Sequence, residues 1–261
     1  MKRWFLVIWL ALPLWAFAQS DSSFLALPYK VDDFCLDQLG NMYLIHNGAV
    51  FKTDTAGNVL ATYSNKSTGN FSHIDATNPL RIMVFADEFS TVYFFDNQLA
   101  VQSVVNLRDY GFNIITVGAS GDGLWCFDQN ESNLLKLDNT LRKTSQTQPF
   151  YLIQNDPLNI TMIQSADKWL ACMNKGSGIM LFDRLGSYNR TWPAANATSF
   201  LISENLLVYT SEDELVFVDL KMYAETGRLK INCNEVKRVQ WFHNSFYLLC
   251  NSSIKKIPFS K

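Results

Sequence analysis

Tyr93-Phe94-Phe95-Asp96 is one of five copies of a loosely spelled phrase, an apolar strand closing on an aspartate. The others are Phe51-Lys52-Thr53-Asp54, Leu135-Lys136-Leu137-Asp138, Met180-Leu181-Phe182-Asp183 and Val216-Phe217-Val218-Asp219. A sixth, Lys255-Lys256-Ile257-Pro258, ends on proline. The closing residues lie 36 to 45 apart, a period that belongs to arrays of β-blades rather than to a domain with one core.

Working outward from these phrases, each repeat resolves into strand-like runs. First runs fall at 32–37, 71–76, 114–119, 160–165, 198–203 and 236–241, and second runs at 42–46, 80–86, 124–128, 169–173, 206–210 and 246–250. They are short, rich in β-branched and aromatic residues, and bounded by Asn, Asp, Gly and Ser. Many are continuously apolar, as sheets covered on both faces require, and helical periodicity is nowhere sustained. Fourth runs follow in five repeats, whereas the sixth stops after its third. The orphan segment 23–28 is placed to complete that blade and remove its open edge. The expectation is an all-β, six-bladed β-propeller closed by an N-terminal strand; seven blades is the alternative, since 151–159 leaves room for an irregular strand.

Residues 1–18 read as a signal peptide: Lys2 and Arg3, an apolar run from Trp4 to Trp15, then the small residues of Ala16-Phe17-Ala18. That run is shorter than the roughly 18–20 residues of a membrane span. Residues 19–261 then form a single propeller domain, exported to the periplasm, with the extracellular space as the alternative. Of the 261 residues, 48% are hydrophobic and 14% aromatic, enough material for a continuous core. Without Lys2 and Arg3 the formal charge moves from −2 to −4, which argues against a nucleic-acid partner. From Lys221 onward eight basic residues stand against two acidic ones, so residues 19–220 carry −10. A split of that size orients a protein against an acidic partner or surface, unless it is only a solvated excess of lysines.

Cys35, Cys126, Cys172 and Cys250 lie in apolar strand patterns and read as small buried hydrophobes, with Cys233 a leftover thiol. A single bridge is the alternative in an oxidising compartment. Asp54, Asp96, Asp138, Asp183 and Asp219 precede turns, where a carboxylate bonds backbone N–H groups two residues on.

The stretch Asp37-Gln38-Leu39-Gly40-Asn41-Met42-Tyr43 resembles the Asp-x-x-Gly-Asn-x-Tyr phrase of NHL-type and related six-bladed propellers. Residues 71–99, with His73-Ile74-Asp75-Ala76-Thr77-Asn78-Pro79 and Tyr93-Phe94-Phe95-Asp96-Asn97-Gln98-Leu99, are similar to a family of exported propellers of Bacteroidota. The resemblance implies an envelope location. It also implies a relation to the plug-like accessory protein of the type IX secretion translocon, hence an outer-membrane translocon as partner. Asp54-Thr55-Ala56 resembles the Asp-Thr/Ser-small signal of periplasmic O-glycosylation in Bacteroidota, which marks Thr55 for a modification that intact mass would report.

No catalytic set emerges, and no cofactor is expected. His46, His73 and His243 lack metal-ligand spacing. Gly118-Ala119-Ser120-Gly121-Asp122-Gly123 is followed by neither the lysine nor the helix of a phosphate loop. Asp128-Gln129-Asn130-Glu131-Ser132 starts like a calcium loop, but Asn133 and Asn139 occupy the positions of its turn glycine and bidentate glutamate. Seven N-glycosylation sequons matter only in a eukaryotic secretory pathway. Polar groups placed to face the channel or a partner are Asp32, Asp33, His73, Asp75, Lys237 and Arg238, with His73 and Asp75 on one strand face as a polar pair. Two functions remain open: a non-enzymatic propeller that binds a protein in the envelope, and a hydrolase or lyase with a metal held in the channel. Fold alone does not decide between them.

Overall fold

The computed structural model describes residues 24–27, 29–65, 69–166, 168–233, 235–251 and 253–259. The expected signal peptide lies outside them. Six four-stranded antiparallel sheets follow one another around a ring. We number them blades 1 to 6, at 33–64, 73–106, 114–146, 160–192, 200–230 and 236–258. The innermost strands are Asp33–Leu36, His73–Asp75, Ile114–Ser120, Ile160–Ala166, Phe200–Ser203 and Val236–Phe242. Phe24–Ala26 pairs antiparallel with Ser253–Pro258, Phe24 opposite Lys255 and Ala26 opposite Ser253, and supplies the fourth strand of blade 6. Residues 151–159, where a seventh blade had room, hold one end of the short 3-10 turn Phe150–Leu152 and a connecting loop. No helix among the described residues is long and apolar enough to cross a membrane.

The unbroken apolar strands have a direct cause. In Ile82–Ala86 of blade 2, Ile82, Val84 and Ala86 pack toward blade 1, while Met83 and Phe85 pack toward blade 3. Alternation sends successive side chains to opposite faces, and here both faces are covered. The core is therefore six separate clusters, one at each blade–blade interface.

Each innermost strand would leave an unpaired edge along the channel. Polar side chains of the preceding blade answer it at every interface. Asp33 accepts from Ile74 N at 3.1 Å. Ser90 donates to Ile114 O at 2.7 Å, and Thr116 to Ile160 O at 2.8 Å. Gln164 donates to Phe200 O and accepts from Ile202 N. Ser199 accepts from Val239 N at 3.0 Å, and Gln240 accepts from Leu36 N at 2.7 Å to close the circle.

The turn aspartates act as expected. Asp54 Oδ1 accepts from Ala56 N and Asn58 N, and Asp96, Asp138 and Asp183 repeat that two-and-four pattern. Asp219 accepts from Lys221 N and Met222 N. The phrase from Asp37 to Tyr43 is the same turn carried further. Asp37 Oδ1 holds Leu39 N and Asn41 N, its Oδ2 takes the Asn41 amide and the Tyr43 hydroxyl, and Gly40 supplies φ +87°. Two of the three glycines that imitate a phosphate loop, Gly118 and Gly123, answer to close backbone approach. A Cβ on Gly118 would stand 2.4 Å from Ile163 O of blade 4, and one on Gly123 would stand 1.9 Å from Leu137 O. Asp128 bonds Asn113 N and Asn130 N, so the calcium-like stretch is a turn as well.

The cysteines correct one expectation. Cys250 is not a lone buried hydrophobe, and Cys233 is not a leftover thiol: the two form a disulfide, with Cα atoms 6.0 Å apart. The register pairs Val236 with Cys250, so the loop entering blade 6 passes the end of that strand. Cys35, Cys126 and Cys172 are buried free thiols. The bridge spans 17 residues, a loop for which chain entropy predicts about 3 kcal/mol. Reduction, or Cys233→Ser, is expected to lower the thermal midpoint by roughly 6–10 °C; an unchanged midpoint in dithiothreitol would show that the bridge constrains nothing.

Candidate functional site: the central channel and its two mouths

The inner strands surround a channel with a cavity at each mouth. One, about 760 Å³, is formed by the starts of the inner strands and by second-to-third strand turns. The other, about 800 Å³, is formed by the first-to-second strand turns. Arg238 lines both.

Five of the six polar residues predicted to face the channel or a partner line the first cavity: Asp32, Asp33, His73, Lys237 and Arg238. Asp75 lies at the other mouth, where it accepts from Thr77 N at 2.9 Å. The His73–Asp75 pair is therefore not formed. The strand aims the His73 ring at the neighbouring blade, and its Nδ1 meets Asp33 Oδ2 at 2.9 Å. Since an ionised carboxylate only accepts, Nδ1 carries the proton. Asp33 also accepts from Ile74 N on Oδ2 and from its neighbour Phe34 N on Oδ1. Arg238 Nε stands 3.8 Å from Asp33 Oδ1, close enough for charge but too far for a hydrogen bond. Burial alone would raise the Asp33 carboxyl; the Arg238 charge, the His73 hydrogen bond and charge, and the Ile74 N–H together hold it below the usual carboxylate range.

Lys237 spends its ammonium on Val31 O at 2.8 Å, and burial lowers its pKa, as does the charge of Lys30. Asp32 is exposed beside the first cavity. Thr55 is exposed in the third-to-fourth strand turn of blade 1. Among the described residues no three His, Cys, Asp or Glu side chains converge as a bound metal requires. Gln164 and Gln240 carry no distinctive sign in the sequence, because each sits in an inner strand that holds other polar residues.

The second mouth differs in character. Arg81 stacks over the Phe94 ring at 3.9 Å and donates to Asn139, and burial lowers its pKa. Leu39, Leu80 and Trp241 stand around it, 76, 72 and 38% exposed, and Leu185 and Met222 project from third-to-fourth strand turns on the same side.

No family model matches the chain, and no curated protein matches it in sequence. The fold is similar to that of a streptogramin B lyase, with a TM-score of 0.63 and 11% identity over 92% of this chain and 88% of that one. It is also similar to a chain of a mitotic checkpoint complex, with a TM-score of 0.62 and 11% identity over 95% of this chain and 82% of the other. At that identity the likeness is one of fold alone.

Proposed function

We propose that this chain is a non-enzymatic interaction module of the cell envelope, exported to the periplasm, where it serves as an accessory subunit of the type IX secretion translocon. The supporting observation is the rim of the second mouth. Leu39, Leu80, Leu185, Met222 and Trp241 all project from turns on one side of the ring. The opposite side also exposes Phe89, Tyr110, Tyr151 and Leu152, so what distinguishes this rim is the pair of anchors at its centre. Aromatic and arginine anchors at the centre of such a face carry most binding energy, and Trp241 and the stacked Arg81 hold that position. The translocon itself is supported by the sequence resemblance over residues 71–99. That stretch contributes the Arg81–Phe94 stack and Leu80 to this rim.

Affinity capture from native membranes tests the reading. The chain is expected to retain the outer-membrane translocon channel as its dominant partner. A Leu80→Asp/Trp241→Glu variant is expected to lose at least nine-tenths of that capture, consistent with anchors worth ~2 kcal/mol each. Leu152→Asp, exposed on the opposite side, keeps it. Capture that is equal for both variants, or that lacks the channel, overturns the proposal.

A further inference from the structure

Arg238 is 5% exposed, yet among the described residues it makes no hydrogen bond. Its one close charge partner, Asp33, is already satisfied by three other donors. The pair stands at 3.8 Å, well outside the 2.7–2.9 Å of a charge-assisted bond. The guanidinium is thus compensated in charge but not by any protein hydrogen bond, and its Nε–H is buried and unspent, which is costly. It lies where the two cavities meet.

We infer that the channel takes a small monocarboxylate with an apolar body, its head on Arg238 and its body against the inner strands of blades 3 and 4. A carboxylate matches the planar fork of a guanidinium with two parallel acceptors, which a single water does not. The neighbouring Asp33, with Asp32, Asp87 and Glu235 around the same cavity, sets a repulsion that rises with ligand charge and so favours a monoanion. Lys237 has one of its three donors on Val31 O and Lys175 also lines this cavity, but neither ammonium offers the planar fork of Arg238. Across the ring, Ile115, Ile160 and Met162 of blades 3 and 4 line the cavity beside Thr116, Thr161 and the exposed Lys175. The side nearest Arg238 is charged and the far side mixes apolar and polar groups, and the volume of about 760 Å³ lies within the range of small-molecule sites.

Calorimetric titration of the full-length chain with hexanoate, acetate and hexanol tests the inference without any variant. Hexanoate is expected to bind saturably, on the order of a hundredfold more tightly than acetate because its four extra methylenes leave water. Hexanol, which lacks the head, is expected to bind at least tenfold more weakly than hexanoate. The Arg238 Nε–H resonance should move with hexanoate in step with the heat. Arg238→Lys, which keeps the charge facing Asp33 and loses the fork, should weaken hexanoate by tenfold or more. No saturable hexanoate binding would overturn the inference and leave the guanidinium to channel water. Equal binding of hexanol would remove Arg238 from the site, and equal binding of acetate would remove the apolar contact. Should Arg238→Lys fail to fold, the three-ligand series and the resonance on the unaltered chain still decide.

Discussion

Deleting residues 23–28 lowers the thermal midpoint by about 10 °C and produces concentration-dependent dimers. The strand Phe24–Ala26 is short, but it is the seam of the ring. It makes the last ladder pairing of blade 6, against Lys255, Ile254 and Ser253. Leu25 and Leu27 also pack with Tyr29 against the cluster between blades 6 and 1. Leu25 lies so close to Gly57 of blade 1 that a Cβ there would approach its methyl at 3.3 Å. Two half-buried leucines and about three ladder bonds are worth roughly 3–5 kcal/mol together. In a chain of this size each kcal/mol moves the midpoint by about 2–4 °C. The second consequence is geometric. Once the strand is gone, Ser253–Pro258 becomes an open edge that templates pairing with another chain. Circular dichroism melts and size-exclusion chromatography at two concentrations read both effects. A monomer melting within about 2 °C of the parent would show that the ring closes without this seam.

That seam was visible in the sequence because it follows from counting: five complete repeats, one lacking a strand, and one unassigned strand at the other end. The turn aspartates were legible for a similar reason. Their partners lie two and four residues away, so the chemistry is local. Asp33, His73 and Arg238 could be placed at the channel by their position on inner strands, but their grouping could not. They come from three blades, and Arg238 lies 205 residues beyond Asp33. His73 has Asp75 two residues away on its own strand, and that nearer carboxylate hid the actual partner. The Cys233–Cys250 bridge was hidden because Cys250 carries the apolar pattern of a strand interior while also ending the strand. Apart from Asp33, the ring of side chains that joins each blade to the next left no local trace beyond a single Ser, Thr or Gln. Those residue types are equally common in turns.

Asp33→Ala is expected to cost about 3–5 kcal/mol, the largest effect of any single substitution considered. It strands the Arg238 guanidinium as a buried, uncompensated charge, and it removes the acceptor for Ile74 N and for the His73 ring. Asp32→Ala, one residue away and exposed, should stay within about 0.5 kcal/mol. Chemical denaturation of the three proteins measures the contrast, and equal midpoints would show that the buried group contributes nothing. The same carboxylate predicts the acid limb. Its folded pKa is lowered, so its stabilising contribution is complete above the unfolded value of about 3.9 and is lost as pH falls through the lower folded value. Asp54, Asp138, Asp183 and Asp219 are lowered as well and act with the same sign. Stability should therefore hold on acidification to about pH 4 and decline below it, with Asp33→Asn flattening part of that decline from a lower starting point. If the cost of Asp33→Ala comes from the orphaned charge rather than from lost packing, Asp33→Leu/Arg238→Met should be more stable than Asp33→Ala alone, because it removes both charges and fills the space with apolar atoms. A double variant that loses the sum of the two single effects would show that the two residues act independently and would dissolve the cluster as a unit.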